Sequence, residues 1–380
     1  LKSNKPIDGH APGLKSIQAS NYIKAGSEVL VITTDHECFT LDEALDKISF
    51  GMKVIIREGS AAKNFEALIP LLDQYPDQIM FCSDDKHPDD LLLGHINQLA
   101  SRAVEKGCHV MNVLRAACLN PVIHYKLPVG LLRPGDSADF CVVSDLKSFN
   151  VNQTFISGNL VANNGNSTIN SIQAYSPNYF ETRKIKKEDI SLSVEKGSLK
   201  VIKSEENQLI TLKGLYQNEL SGNFESDLEK DVLKIIVKSR YSDAPPSAAL
   251  IQGFGFKKGA IASSVAHDSH NLVAVGCSDE EIVKATNLII ENKGGIATAW
   301  DDESYIIPLP VAGLMSAEPA EKVAAQYEEI NSIARSKLGS KMDAPFMTLS
   351  FMALLVIPEL KLSDKGLFDA KNFKFTGLSA

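Results

Sequence analysis

No CxxC pair occurs in this 380-residue sequence, so its six cysteines (Cys38, Cys82, Cys108, Cys118, Cys141 and Cys277) have no zinc-ribbon or dithiol spacing. They are scattered through apolar segments and read as buried free thiols, which points to a reducing, cytoplasmic compartment. There is no long uncharged apolar run, which argues against a membrane-spanning helix and a membrane partner. A basic surplus is also missing: 39 Lys and Arg stand against 47 Asp and Glu, a net charge of -8, so a nucleic-acid partner is not expected. No secretory pattern opens the chain. It starts at Leu1 with a strand-like segment already under way, so a processed or longer protein is expected.

What is present is an ordinary globular balance, 44% hydrophobic and 23% charged, which excludes a mainly disordered chain. The length suits two or three domains. Four short apolar runs end in polar residues: Lys5 to His10, Val29 to His36, Lys53 to Glu58, and Gln78 to Asp85. They recur with the spacing of a βα unit, and a helix-like segment follows each. Thr40 to Glu43 reads as a capping box, followed by an apolar face of Leu41, Ala44, Leu45 and Ile48. Asp89 is read as the cap of a helix carrying Leu92, Ile96, Leu99 and Val104. Runs of β-branched residues without alternation suggest strands buried on both faces, hence a parallel sheet. Four such units make half of a (β/α)8 TIM-like barrel, the other half being expected upstream of Leu1.

The pattern then changes. Residues 126–170 are punctuated by Pro and Gly and read as a small β-sandwich-like module. Residues 171–380 read as an α+β domain, with helices over 279–292 and 321–338 and a hairpin turning at Asp301-Asp302-Glu303. The fold class is therefore α/β, with boundaries at 1–125, 126–170 and 171–380.

His10, His36 and Asp84 each stand at the end of a different strand. Parallel α/β folds place their chemistry there, and imidazole plus carboxylate is the usual shell of a hydrolytic divalent metal. The neighbours Asp35, Glu37, Asp85 and His87 are expected to support that shell or to face solvent. Gly253 to Gly259 fits neither the dinucleotide fingerprint nor the P-loop and reads as a turn. His267-Asp268-Ser269-His270-Asn271 is too tight in sequence for a catalytic triad. It is either a plain turn or a loop that reaches the active site.

These residues resemble a known family. Asp8-Gly9-His10-Ala11-Pro12-Gly13, Thr34-Asp35-His36-Glu37, Arg57-Glu58-Gly59-Ser60 and Cys82 to Pro88 are similar to successive motifs of the adenine deaminases, in the amidohydrolase superfamily. The resemblance continues through Gly130 to Asp139, Val265 to Asn271, Pro308 to Ser316 and Pro345 to Phe351, covering essentially the whole chain. Its C-terminal motifs are the more specific.

The resemblance implies metal-dependent hydrolysis of adenine to hypoxanthine and ammonia, a step of purine salvage. It implies two divalent ions, manganese or iron, with zinc as the alternative. His10, His36 and Asp84 would be metal ligands matching the fifth, sixth and eighth barrel strands, and Asp84 would also move protons. Arg57, Glu58 and Asp85 would contact the substrate, and the composition of the 267–271 loop makes His267 and His270 catalytic candidates beside them. The family's His-x-His pair and bridging carboxylate are not found in these 380 residues and are expected upstream. A homodimer is the expected assembly. Two other readings stand beside this one: a different cyclic amidine or amide hydrolase on the same fold, and a non-catalytic part of such a protein.

Overall fold

The computed structural model describes residues 5–25, 31–60, 62–170, 172, 175–205 and 209–380. The chain divides into two compact units, Leu1–Lys86 with Asp90–Ile172, and His87–Asp89 with Gln173–Ala380.

The first unit holds a four-stranded sheet in sequential order: β1 (Ile7–Gly9), β2 (Ile32–Asp35), β3 (Lys53–Arg57) and β4 (Ile79–Cys82). All three neighbour pairings are parallel. Helices α1 (Ser16–Lys24), α2 (Leu41–Ser49) and α3 (Phe65–Leu68) lie between the strands. Val54, Ile56, Ile79 and Phe81 join Phe65, Leu68, Leu99 and Ala103 in one buried core, the apolar burial that unalternating strand sequences require. Gly9 is needed where β1 meets β2, since a Cβ there would stand 2.5 Å from Ile32 Cγ2 and 2.9 Å from the Thr34 carbonyl. Val29 and Leu30, placed by the sequence in the second run, lie outside the described residues.

Four local expectations need correction. Thr40 does cap α2, its side chain accepting from the Glu43 N–H at 3.3 Å, but Glu43 does not close the box on Thr40. Its buried carboxylate instead accepts from Phe39 and Gly13 and pairs with Lys47. Leu41 is exposed rather than part of the buried face. The single helix expected after Asp89 is two, Pro88–Leu93 and Ile96–Glu105, because Gly94 interrupts them at φ +150°. Asp89 therefore sits inside the first helix and does not cap the second. Among the cysteines Cys38 is buried, but Cys118 and Cys141 are exposed.

The strands Phe140–Val143, Val151–Ile156, Asn159–Asn163 and Asn166–Ser167 form a separate antiparallel sheet. In the second unit an eight-stranded sheet runs in the order Thr211–Asn218, Gly197–Ser204, Ser247–Gln252, Leu233–Lys238, Leu272–Gly276, Ala260–Ser263, Gly295–Trp300, Glu303–Pro308. Its pairings are antiparallel except that of Gly197–Ser204 with Ser247–Gln252. The helix Asp279–Glu291, capped by Ser278, packs Ile282, Ala285 and Ile289 against it. A second helix spans Ala320–Ser336 and buries Tyr327, Ile330 and Ala334. The glycine turn 253–259 is organised by the protein's own anion: Asp231 accepts from the N–H groups of Gly253 and Gly255, both at 2.9 Å. No helix among the described residues is long and apolar enough to cross a membrane.

Candidate active site

Strand register explains which side chains meet. β1 and β2 end at the paired residues Gly9 and Asp35, so His10 and His36 leave adjacent strands side by side. Their rings lie 4.7 Å apart in an edge-on arrangement. β3 and β4 end at the paired residues Arg57 and Cys82, and two residues further Asp84 turns back through φ +54° to meet Arg57. Arg57 Nη1 stands 2.5 Å from Asp84 Oδ2, and that oxygen is 4.0 Å from His36 Nε2. The three residues predicted from strand ends thus converge.

Glu37, which the sequence reading placed only among the neighbours of the shell, joins the group itself. Its Oε2 lies 3.5 Å from His10 Nδ1, and its Oε1 lies 3.9 Å from Arg57 Nη1. His10, His36 and Glu37 each offer one ligand atom, and these atoms lie within 4.8 Å of one another, a group able to hold a metal ion. Two imidazoles and a carboxylate suit a first-row divalent cation. Ligand atoms about 2.1 Å from one ion are at most about 4.2 Å apart, so shifts of roughly half an ångström would close the group on an ion. Asp84 is within reach as a further oxygen donor. Its place in the run Thr34 to Glu37, one residue past a predicted ligand, was the available signal for Glu37.

The two imidazoles are held differently. Glu37 hydrogen-bonds His10 and raises its pKa above the ordinary value, outweighing partial burial. Burial lowers that of His36, with Asp84 opposing and Arg57 assisting, so the ring favours its neutral, ligating form. Arg57 is 1% exposed, and its Nε and Nη2 have no hydrogen-bond partner among the described residues. Asn64 ties the strand ends together: it accepts from the Arg57 N–H at 2.8 Å and donates to the carbonyls of His36 and Cys38, both at 3.1 Å.

Beneath the histidines is a second group with metal-like composition, Asp35, Cys38 and Glu43. Its cation is already supplied. Lys47 Nζ is fully buried, 2.6 Å from Asp35 Oδ2 and 2.8 Å from Glu43 Oε1. Burial alone would raise the Asp35 pKa, but the Lys47 charge and hydrogen bond win and lower it. Burial and the neighbouring Asp35 charge push the Cys38 thiol far up, so it stays protonated.

The other predicted residues have these positions. Glu58 accepts from Arg102 Nη1 at 2.6 Å and from the Phe65 N–H at 3.3 Å. Asp85 exposes its side chain, while its carbonyl accepts from the Ser60 N–H at 2.9 Å. His267 and His270 belong to the second unit, in the turn between Ala260–Ser263 and Leu272–Gly276. Their rings are 6.1 Å apart, and His267 stacks on Phe351 at 4.4 Å. Burial lowers the His270 pKa, and His267 and Arg240 add to the effect.

Comparison with known proteins matches residues 5–161 to the amidohydrolase family and residues 208–374 to the adenine deaminase C-terminal domain. An adenine deaminase of Methanosarcina mazei is 50% identical over 100% of this chain and 70% of its own length. One from Sulfurovum sp. is 52% identical over 98% of this chain and 68% of its own. One from Borreliella burgdorferi is 48% identical over 99% and 69%. Among solved structures, a β-aspartyl dipeptidase of Fervidobacterium islandicum aligns with 44% of this chain and 48% of its own at 18% identity, with a TM-score of 0.36, too low to carry a fold argument. On the identity and coverage of its curated relatives, the chain belongs to the adenine deaminase family of amidohydrolases.

Proposed function

We infer that the chain hydrolyses adenine to hypoxanthine and ammonia, with His10, His36, Glu37 and Asp84 as its reacting end. The observation that carries this is their convergence, in a chain about half identical to adenine deaminases along its whole length. A divalent ion held there, manganese or iron with zinc as the alternative, would supply a water of lowered pKa, about 7, as the nucleophile. His10, His36 and Glu37 would hold the ion, and Asp84 stands beside His36 as a further oxygen donor. The family resemblance implies a second ion, whose remaining ligands lie outside this group.

Asp84 is the proton carrier. It takes a proton from the attacking water as the oxygen bonds to C6, and it returns that proton to the exocyclic nitrogen as the C6–N6 bond breaks. Water's second proton ends on the purine N1, so adenine and water balance hypoxanthine and ammonia. Arg57 keeps Asp84 in place through Nη1, and the three N–H groups on its unpartnered Nε and Nη2 are proposed as donors for the purine ring nitrogens. Glu58 and Asp85 are proposed as further contacts at the purine edge. Of the two, Glu58 is the more committed elsewhere, through Arg102. His267 and His270 are proposed to act in turnover on the composition of their loop, supported by the unpartnered Nδ1 of His270.

The sequential parallel sheet supports reading 1–125 as half of a (β/α)8 barrel. The antiparallel sheets support a small β module over 126–170 and an α+β domain over 171–380. A homodimer remains the expected assembly, to be read by sedimentation.

The test is conversion of adenine by Mn2+-loaded full-length protein, followed as hypoxanthine and ammonia released one for one. His36→Ala should abolish it. No conversion by the loaded protein, or equal conversion by His36→Ala, would overturn the assignment. His270→Ala should lower turnover by about 10²-fold with little loss of stability.

A further inference from the structure

We propose that Asp35, Glu43 and Lys47 form a positioning clamp that sets the geometry of the His10 and His36–Glu37 ligands from beneath. The proposal rests on the metal-centre reading above and assigns residues outside it.

The argument is one of connectivity. Two loops carry the ligands, one leaving β1 and one leaving β2. Asp35 Oδ1 accepts from the N–H of Ala11 at 3.1 Å and from the N–H of Glu37 at 3.2 Å, so one oxygen joins both loops. Its other oxygen accepts from Lys47 at 2.6 Å and from the Cys38 thiol at 3.1 Å. Lys47 also donates to the Ala11 carbonyl and to Glu43 Oε1. Glu43 Oε1 accepts from the Gly13 N–H at 2.7 Å, and Oε2 accepts from the Phe39 N–H at 3.2 Å. Three backbone groups of the first loop and two of the second are thereby held by three buried side chains.

The group is built for this work rather than for a second ion. Lys47 places its three ammonium protons on Asp35, Glu43 and the Ala11 carbonyl, which saturates it as a donor. Asp35 is 0%, Glu43 2% and Lys47 0% exposed, so none is free to swing to solvent. Outer groups that orient metal ligands typically change metal affinity 10–100-fold when replaced.

The experiment compares wild type, Lys47→Met and Glu43→Gln in the full-length protein. Glu43→Gln keeps the volume and an oxygen for the Gly13 N–H if Lys47→Met fails to fold. Mn2+ affinity is measured by titration well below the melting midpoint, and the visible spectrum of bound Co2+ reports ligand geometry. The clamp predicts Mn2+ binding weakened about 10–100-fold and shifted Co2+ bands in whichever variant folds. A folded variant with wild-type Mn2+ affinity and Co2+ spectrum, and only a lower melting midpoint, overturns it. A wild-type protein that binds no Mn2+ would instead overturn the metal-centre reading on which it stands.

Discussion

Lys47 in the first unit and Lys361 in the second are both 0% exposed, yet their surroundings push them in opposite directions. Lys47 faces two carboxylates, and the Asp35 charge overcomes burial to raise its pKa. Lys361 donates to the carbonyls of Leu209 at 2.8 Å and Phe351 at 3.1 Å, and no carboxylate pairs with it among the described residues. Burial alone lowers its pKa to about 7. The difference teaches that burial does not decide whether a charge survives; the partners do. Beside the candidate site the charge is kept and used to bind loops, whereas in the second unit an amine that carries its proton only part of the time near neutral pH suffices for two carbonyls.

The largest expected effect is that of Lys47→Met. It leaves Asp35 and Glu43 buried without their cation, and stability should fall by about 3–5 kcal/mol in urea unfolding at pH 7. Loss of under about 1 kcal/mol would mean that the carboxylates are not held by Lys47.

Lys361 predicts a pH slope. Its folded pKa of about 7 lies below the ordinary lysine value of 10.5, so between these values the unfolded chain holds the extra proton. Stability from this group therefore rises with pH across that window, by on the order of 5 kcal/mol in full. Lys361→Met should remove the rise. The Lys47 pKa is raised, so its stabilisation is complete below the unfolded value and stays flat across the same window. Parallel slopes for wild type and Lys361→Met would break the comparison.

Lys234 falls between the two. It is 2% exposed and pairs with one carboxylate, Asp279, at 2.5 Å, while also donating to the Ile190 carbonyl. Asp279 opens a helix, where the N-terminal dipole already favours its charge. Lys234→Met should therefore cost less than Lys47→Met, about 1–3 kcal/mol by the same urea assay. A cost equal to that of Lys47→Met would remove the distinction between one carboxylate partner and two.

The legible parts of the sequence were those with local causes. Apolar runs that stop at polar residues exposed the strand ends, and with them His10, His36 and Asp84. The helix 279–291 and the hairpin at Asp301-Asp302 followed from periodicity and turn chemistry. Lys47 was hidden because Glu43 and Lys47, four apart on a helix, look like an ordinary solvent-exposed pair. Only the packing of α2 under two loops buries them. Glu37 was read only as a supporting neighbour because adjacency in sequence says nothing about where a side chain turns. The strand order of the eight-stranded sheet depends on pairings such as Lys234 with Gly276, and no local pattern encodes such long-range register.

The most direct measurement for the central claim is the turnover of Asp84→Asn in the metal-loaded full-length protein, with metal content measured in the same sample. Asparagine keeps the size of Asp84 but cannot carry a proton. The account predicts retained fold and bound metal, with kcat for adenine down by about 10²–10⁴-fold. Near-normal kcat with metal in place would contradict it, and the proton would then have to move through another group.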